Sequence, residues 1–314
     1  MTCDGKTVSD EPSLERIRSL VIPPAWRHVR ISPAAGARLQ AVGVDTRGRI
    51  QYLYNAKFTE AQARKKFAKI EKFGEHMPAL RAATNEHIAL AGFPREKVLA
   101  IMTRLINSLY IRVGADHSVK HYRTYGITTL GNRHVKIGRN GKVVFDFVGK
   151  SKIQHRKVLV DPELASLLKE LVSIGRGRKL FQYIDENGRP QPVTPSQING
   201  YIKSITAPEY SAKDFRTWGA TMLAALELAE TGPADDEKQA QKNIVRIVKS
   251  VAEQLGNTPA VCRSSYIHPL VLKSYAQGIT IGSFTPKRLR KLKRYEAKFE
   301  LAEVSLLELF RRSK

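Results

Sequence analysis

The stretch NRHVKIGRNGKVVFDFVGKSKIQHRKVLV, residues 132–160, decides the architecture of this chain. Apolar and polar residues alternate along it, and this period predicts three β-strands. Asn140-Gly141 is a typical hairpin turn, and Gly149-Lys150-Ser151-Lys152 forms the second turn. The flanking sequence has helical spacing, so we expect a small antiparallel sheet within a mainly helical region.

Helices are predicted on both sides of this stretch. Upstream, EKVLAIMTRLINSLYIRVG (96–114) has apolar residues at helical spacing and ends at Gly114, a suitable C′ residue. The downstream helices are predicted in DPELASLLKELV (161–172), TPSQINGYIKSI (194–205), AKDFRTWGATMLAALELAE (212–230) and EKQAQKNIVRIVKSVAEQLG (237–256). The tail KRLRKLKRYEAKFELAEVSLLELF (287–310) is typical of a basic helix that becomes amphipathic.

The N-terminal part has a different pattern. Up to about residue 56, short β-prone runs alternate with Gly, Pro and Asp turns, and VIPPAW (21–26) disfavours a helix. A Lys-rich helical segment, residues 57–76, follows and connects to the rest. We therefore expect an α+β fold, with a small antiparallel β-sheet domain at 1–66 and a larger, mainly α-helical domain at 67–314 that contains the three-stranded hairpin region.

The composition indicates a polyanionic partner. The chain has 314 residues, of which 42% are hydrophobic, and 53 Lys and Arg against 29 Asp and Glu give a formal charge of +24. Cations that neutralise phosphates release condensed counterions, although charge alone does not separate DNA from RNA or a membrane surface. The N-terminus lacks an apolar signal core and no long apolar run occurs, so a cytoplasmic protein with no membrane partner is expected.

Metal and nucleotide sites are not expected. Cys3 and Cys262 are too few for a disulfide framework or a four-ligand zinc site. The GKS at 149–151 resembles the end of a phosphate-binding loop, but position 144, where that loop requires glycine, is Val144. No Gly-x-Ser-x-Gly elbow is present either. We therefore expect chemistry without ATP, a metal or another cofactor.

Several cations lie at the ends of predicted elements. Arg112 closes a helix in YIRVG, Lys150 occupies the tip of a hairpin, and Lys213 and Arg216 open a helix in SAKDFRTWGAT. Each has an ordinary explanation alone, as a helix-dipole partner, a turn residue or a surface charge.

The segment LGNTPAVCRSSYIHP (255–269) contains a further unusual feature. A helix break at Gly256-Asn257 is followed at once by a new helix start at Thr258-Pro259. Tyr266 is expected about two turns into that helix, with no acidic residue nearby. A cationic neighbourhood favours the phenolate of a tyrosine, whose unperturbed pKa is about 10.

Taken in order, these motifs resemble the type IB DNA topoisomerases, particularly the compact poxvirus-like form also found in bacteria. The resemblance covers nearly the whole chain. The matching segments are IRVG for the first catalytic arginine, FDFVGKSKI for the hairpin lysine, KDFRTWGAT for the second arginine and GNTPAVCRSSY for the nucleophilic tyrosine. The chain departs at Asn257, nine residues before Tyr266, where the family usually has histidine.

The resemblance implies a specific reaction. Tyr266 forms a 3′-phosphotyrosyl intermediate and leaves a free 5′-hydroxyl, the cut strand rotates, and religation leaves the DNA relaxed without ATP or metal. Arg112 and Arg216 are the candidates to hold the non-bridging oxygens, because arginine presents a planar fork that keeps its charge. Lys150 is the candidate general acid, and Asn257 is expected to donate one further hydrogen bond.

The resemblance also implies how DNA is bound. GRIQYLYN (48–55) is similar to a DNA-contacting strand, so Gln51, Tyr52 and Tyr54 are expected to approach DNA, as is Lys213. The alternative is that one or both tyrosines belong to the sheet core. We expect duplex DNA as the partner of a nucleoid-associated monomer that clamps DNA between its two domains.

Two other functions remain open from the sequence. A tyrosine recombinase or integrase shares the tyrosine chemistry, but it normally has histidine where this chain has Lys213, and it usually lacks the N-terminal sheet. A non-catalytic basic DNA- or RNA-binding protein explains the charge but not the ordered motifs.

Overall fold

The computed structural model describes residues 7–174, 179–285 and 295–312. By its internal contacts the chain divides into two units, Met1–Ala68 and Lys69–Lys314. The described residues form helices and small antiparallel sheets, the mixed content that the sequence predicts. None of the helices in these ranges combines the length and apolar character needed to span a membrane.

The N-terminal unit contains a short helix, an antiparallel sheet and the beginning of a longer second helix. The expected antiparallel sheet is present. Its strands are β1 (Arg27–Ile31), β2 (Leu39–Val44) and β3 (Ile50–Tyr54), hydrogen-bonded in the order β1-β2-β3. The helix α1 (Glu11–Ser19) was not predicted. It begins where Asp10 accepts a 3.0 Å hydrogen bond from the backbone N–H of Ser13.

The tyrosines of β3 are on the solvent face of this sheet. Tyr52 is 53% exposed and Tyr54 is 45% exposed, and their rings stack at 6.3 Å. Gln51 points to the other face, where its amide donates to the Asp45 carboxylate at 3.0 Å. The interpretation of the tyrosines as sheet core is therefore wrong.

The helix α2 (Ala56–Glu75) runs across the boundary between the two units. The helices of the second unit that precede the hairpin sheet are α3 (Met77–Ile88), α4 (Arg95–Leu109) and α5 (Asp116–Tyr122). Those that follow it are α6 (Pro162–Ile174), α7 (Pro195–Ile205), α8 (Ala212–Thr231), α9 (Glu237–Leu255), α10 (Pro259–Ser265), α11 (Pro269–Ala276) and α12 (Leu301–Arg312). The basic part of the predicted tail helix falls largely on 286–294, outside the described residues.

The helix α4 forms the centre of the second unit. All its residues from Val98 to Ile106 are buried, and α3, α7 and α8 pack around it. It ends at Leu109, earlier than the predicted end at Gly114, because Tyr110 adopts a left-handed conformation with φ 56°. Arg112 therefore lies in a segment that is neither helix nor strand and does not close a helix, contrary to our expectation.

The predicted three-stranded sheet is confirmed. The strands β4 (Val135–Ile137), β5 (Lys142–Val148) and β6 (Gln154–Val160) pair antiparallel in that order. Asn140 and Gly141 both have positive φ in the first turn, as a tight hairpin turn requires. A further small hairpin, β7 (Gln182–Ile184) with β8 (Pro190–Pro192), was not predicted.

The C-terminal segment is fixed to the helical unit by a buried ion pair. Arg81 on α3 donates to both carboxylate oxygens of Glu303 on α12, at 2.9 and 2.5 Å. Burial raises the pKa of Glu303, and the guanidinium of Arg81 opposes this rise. Nearby, the Arg104 guanidinium lies 4.0 Å from the ring centroid of Tyr295.

We expect Arg81→Leu to lower the free energy of unfolding by about 3–5 kcal/mol, because it leaves the carboxylate of Glu303 buried without its partner. The double variant Arg81→Leu/Glu303→Leu should recover most of this loss. Urea denaturation of both variants measures the difference. A single variant as stable as the parent would show that the pair does not hold the segment.

Candidate active site

The cap of α9 is the point at which the site is assembled. The helix ends at Leu255, and Gly256 follows in the left-handed conformation with φ 62°. A side chain here would be strained, and its Cβ would lie 2.1 Å from Cε1 of His155, so only glycine fits. Thr258 then caps α10 by accepting from the N–H of Val261, which confirms the predicted break and restart.

Successive carbonyl oxygens at this cap each accept a hydrogen bond from a cation. The pairs are Gln254 with Lys157 Nζ, Leu255 with Arg216 Nη2 at 2.9 Å, and Gly256 with Arg112 Nη2 at 3.3 Å. The last carbonyls of a helix carry the negative end of its dipole, which favours cations at this position. The cap therefore gathers charged side chains from β6, α8 and the segment after α4.

Arg216 is the most buried of these cations, with 3% of its surface exposed. It projects from α8, and its second Nη group donates to the carbonyl of Tyr110. Burial lowers its pKa to about 10 and the charge of Arg112 contributes, so it remains protonated at neutral pH. Its Nε is buried and has no hydrogen-bond partner among the described residues.

Arg112 orients the amide of Asn257. Its Nη2 donates to Oδ1 of Asn257 at 2.5 Å, so the amide must present its NH₂ group on the other side. Nδ2 of Asn257 is buried and, within the part of the chain that the structure describes, has no acceptor. Nδ2 of Asn257 and Nε of Arg216 are thus both unsatisfied donors, and a buried donor without an acceptor is energetically unfavourable.

Tyr266 is the C-cap of α10, one residue beyond the helix in which it was expected. Its backbone N–H donates to the carbonyl of Cys262 at 2.9 Å. Burial lowers the pKa of Arg112 and of Arg216, and an interaction with the Tyr266 hydroxyl opposes both changes. The Arg216 guanidinium also lies 5.3 Å from the tyrosine ring centroid. The Tyr266 hydroxyl therefore interacts with two guanidinium groups.

Thr221 is a site residue that the sequence did not reveal. It lies on α8, fully buried, and its hydroxyl accepts from the N–H of His268 at 3.0 Å. The same oxygen lies 3.2 Å from the carbonyl oxygen of Tyr266. The backbone around Tyr266 is thus attached to the helix that carries Arg216. A threonine within a helix has no distinguishing pattern, so only the structure shows this contact.

The hairpin formed by β5 and β6 lines one side of a small cleft whose other side includes Arg112 and Arg216. Lys150 is exposed at its tip and lines the same cavity as Arg112 and Arg216. Lys213 is exposed in the first turn of α8 and is not among the residues that line this cavity. His155 and Lys157 on β6 also line it, and our sequence analysis assigned them no role.

The site therefore combines the Tyr266 hydroxyl with two guanidinium groups and with donors that are unpaired among the described residues, and Lys150 lines a cavity with the same two guanidinium groups. Residues 55–292 match the catalytic core of eukaryotic DNA topoisomerase I, and residues 1–45 match the N-terminal domain of bacterial DNA topoisomerase IB. The chain belongs to the type IB DNA topoisomerase family.

Individual relatives cover most of the chain. A DNA topoisomerase 1B of Acanthamoeba polyphaga mimivirus is 32% identical over 83% of this chain and 80% of its own length. The DNA topoisomerase 1B of vaccinia virus (strain Copenhagen) is 24% identical over 84% of this chain and 82% of its own length. The similarity to the carrot DNA topoisomerase 1 is shorter, 28% over 51% of this chain and 19% of the carrot protein.

For the strand-cleavage step of this family, we expect Asn257→Ala to reduce the rate by about 10²–10³, the usual effect of losing one transition-state donor. Asn257→His should retain most of the rate, because imidazole also donates. Asn257→Asp keeps the acceptor for Arg112 but loses the donor and adds a negative charge, so it should be at least as slow as the alanine variant. Single-turnover cleavage measures all three. An alanine variant as fast as the parent would reduce Asn257 to a turn residue.

Proposed function

We propose that the protein is a type IB DNA topoisomerase that cleaves and rejoins one strand of duplex DNA through Tyr266. The observation that carries this proposal is the contact of the Tyr266 hydroxyl with Arg112 and Arg216, beside the unpaired donors of Asn257 and Arg216. A phosphodiester is the substrate that satisfies these donors, and family membership supports the same activity.

In the proposed reaction, the phenolic oxygen of Tyr266 attacks the phosphorus and its proton passes to solvent. The bond between phosphorus and the 5′ oxygen breaks, which leaves a 3′-phosphotyrosyl ester. Arg112, Arg216 and Asn257 donate to the non-bridging oxygens, whose charge increases in the pentacoordinate state. The ester conserves the energy of the broken bond, so a returning 5′-hydroxyl can displace the tyrosine without ATP.

The leaving 5′ oxygen needs a proton, and Lys150 is the proposed donor. It is exposed at the tip of the β5–β6 hairpin, so its ammonium is accessible to a DNA backbone. Arginine cannot readily supply a proton, whereas lysine can. The two arginines and the lysine are therefore assigned different roles in the same cleft.

The N-terminal unit is proposed to provide DNA contacts of its own. Tyr52 and Tyr54 present a stacked aromatic pair on an exposed strand. Gln51 is turned to the opposite face, and Lys213 is exposed in the other unit. We propose a nucleoid-associated monomer with domains at 1–66 and 67–314. Both domains bind the DNA duplex.

Tyr266→Phe should bind duplex DNA with the affinity of the parent but lose relaxation and the covalent adduct, because the nucleophilic oxygen is gone. Relaxation of supercoiled plasmid without ATP or magnesium, followed by denaturing gels for the adduct, measures both. Relaxation by the parent on a plasmid without paired recognition sites also separates this enzyme from a recombinase. Adduct formed by the phenylalanine variant would refute the assignment of Tyr266.

Lys150→Ala should slow cleavage of an ordinary phosphodiester by about 10²–10⁴, the usual contribution of a general acid. A substrate with sulfur at the 5′-bridging position has a leaving group that needs no proton, so the variant should cleave it at nearly the parent rate. Equal impairment on the two substrates would assign the proton to another group.

A further inference from the structure

The inward face of β6 contains two polar residues, His155 and Lys157, at positions where the core of a sheet normally has apolar residues. Side chains at 155, 157 and 159 alternate with exposed ones, and Leu159 is an ordinary core residue. His155 is also buried, with 7% of its surface exposed, and Lys157 is partly buried beside it. A histidine and a lysine therefore occupy positions where the strand pattern expects apolar residues.

Lys157 connects the hairpin to the α9 cap. Its Nζ donates to the carbonyl of Gln254 in the last turn of α9. In the β5–β6 ladder it is opposite Phe145, with the turn that carries Lys150 at the end of the same ladder. The contact therefore fixes the base of the Lys150 hairpin against the helix end that presents Asn257.

His155 fills the remaining space between the same two elements. A Cβ on Gly149, at the start of the hairpin turn, would lie 2.4 Å from Cδ2 of His155. A Cβ on Gly256, at the α9 cap, would lie 2.1 Å from Cε1 of the same ring. Burial lowers the pKa of His155 to about 4, and Lys157 and the arginines contribute, so the ring is a neutral wedge at physiological pH.

Lys157 is costly for the fold. Burial lowers its pKa to about 8, and the charges of Arg216 and Arg112 contribute to this shift. No carboxylate among the described residues forms an ion pair with it. A partly buried cation beside other cations is disfavoured relative to an apolar residue of similar shape, so stability alone does not explain its presence here.

We propose that Lys157 is a positioning residue that holds the Lys150 hairpin against the α9 cap, so that the Lys150 ammonium stands at the leaving 5′ oxygen. The α9 cap has independent attachments through Arg216 and Arg112, whereas the hairpin is fixed to it by Lys157 and the His155 wedge. Loss of Lys157 therefore displaces Lys150 and leaves the arginines in place. This inference rests on the proposed topoisomerase reaction.

The test uses Lys157→Met, which keeps the length of the side chain and removes its charge and donor. Lys142→Met, at an exposed position on β5, is the matched control. Single-turnover cleavage is measured on an ordinary duplex and on the 5′-bridging sulfur duplex, with the melting temperature of each variant. A displacement of about 1 Å can slow a reaction by about 10²-fold, so we expect Lys157→Met to lose between about 10-fold and 10²-fold on the ordinary duplex.

The expected pattern separates positioning from folding. Lys157→Met should cleave the sulfur duplex at the parent rate and melt at the parent temperature or above, and Lys157→Arg should recover most of the rate. In a Lys150→Ala background the methionine change should have no further effect, because both act on one proton transfer. The control should match the parent throughout.

Three results would overturn the inference. The first is cleavage of the ordinary duplex by Lys157→Met at the parent rate. The second is an equal loss of cleavage rate on the ordinary and sulfur duplexes. The third is a loss of cleavage rate that accompanies a lowered melting temperature. A parent protein that cleaves neither duplex would refute the proposed function itself, which is a different outcome.

Discussion

The helix end at Gln254, Leu255 and Gly256 is the feature on which the rest of the site depends. Its carbonyl oxygens have no partners within the helix, and they accept from Lys157, Arg216 and Arg112. Side chains from separate parts of the chain are thus attached to one rigid point. The left-handed Gly256 then turns the chain so that Asn257 and α10, with Tyr266 at its end, follow immediately.

The same arrangement supports the role that we propose for asparagine at position 257. A neutral amide has a donor end and an acceptor end, and the bond from Arg112 occupies the acceptor end. The donor end is consequently directed to the other side without any need for a charge or a particular protonation state. An imidazole in the same position would depend on its tautomer, whereas the amide of Asn257 has one useful orientation.

The sequence predicted what depends on local patterns. The period of two in 132–160 predicted β4, β5 and β6, and the Gly-Asn-Thr-Pro order at 256–259 predicted the α9 cap and the start of α10. Prediction from the sequence failed where contacts between residues far apart in the chain determine the structure. Tyr110 takes a left-handed conformation and packs its ring against Gly219, so α4 ends before Arg112, and nothing near Tyr110 in the sequence indicates this.

The contact of Lys157 with Gln254 joins residues far apart in the chain, so it too is invisible to local analysis. Burial lowers the pKa values of Lys157 and Arg216 and the charges of neighbouring arginines contribute, while the negative pole of α9 keeps these cations in position. In the proposed reaction, the scissile phosphate supplies a negative charge and hydrogen-bond acceptors to these cations together. The donors therefore need no rearrangement when the phosphorus becomes pentacoordinate, because the helix end has already fixed them.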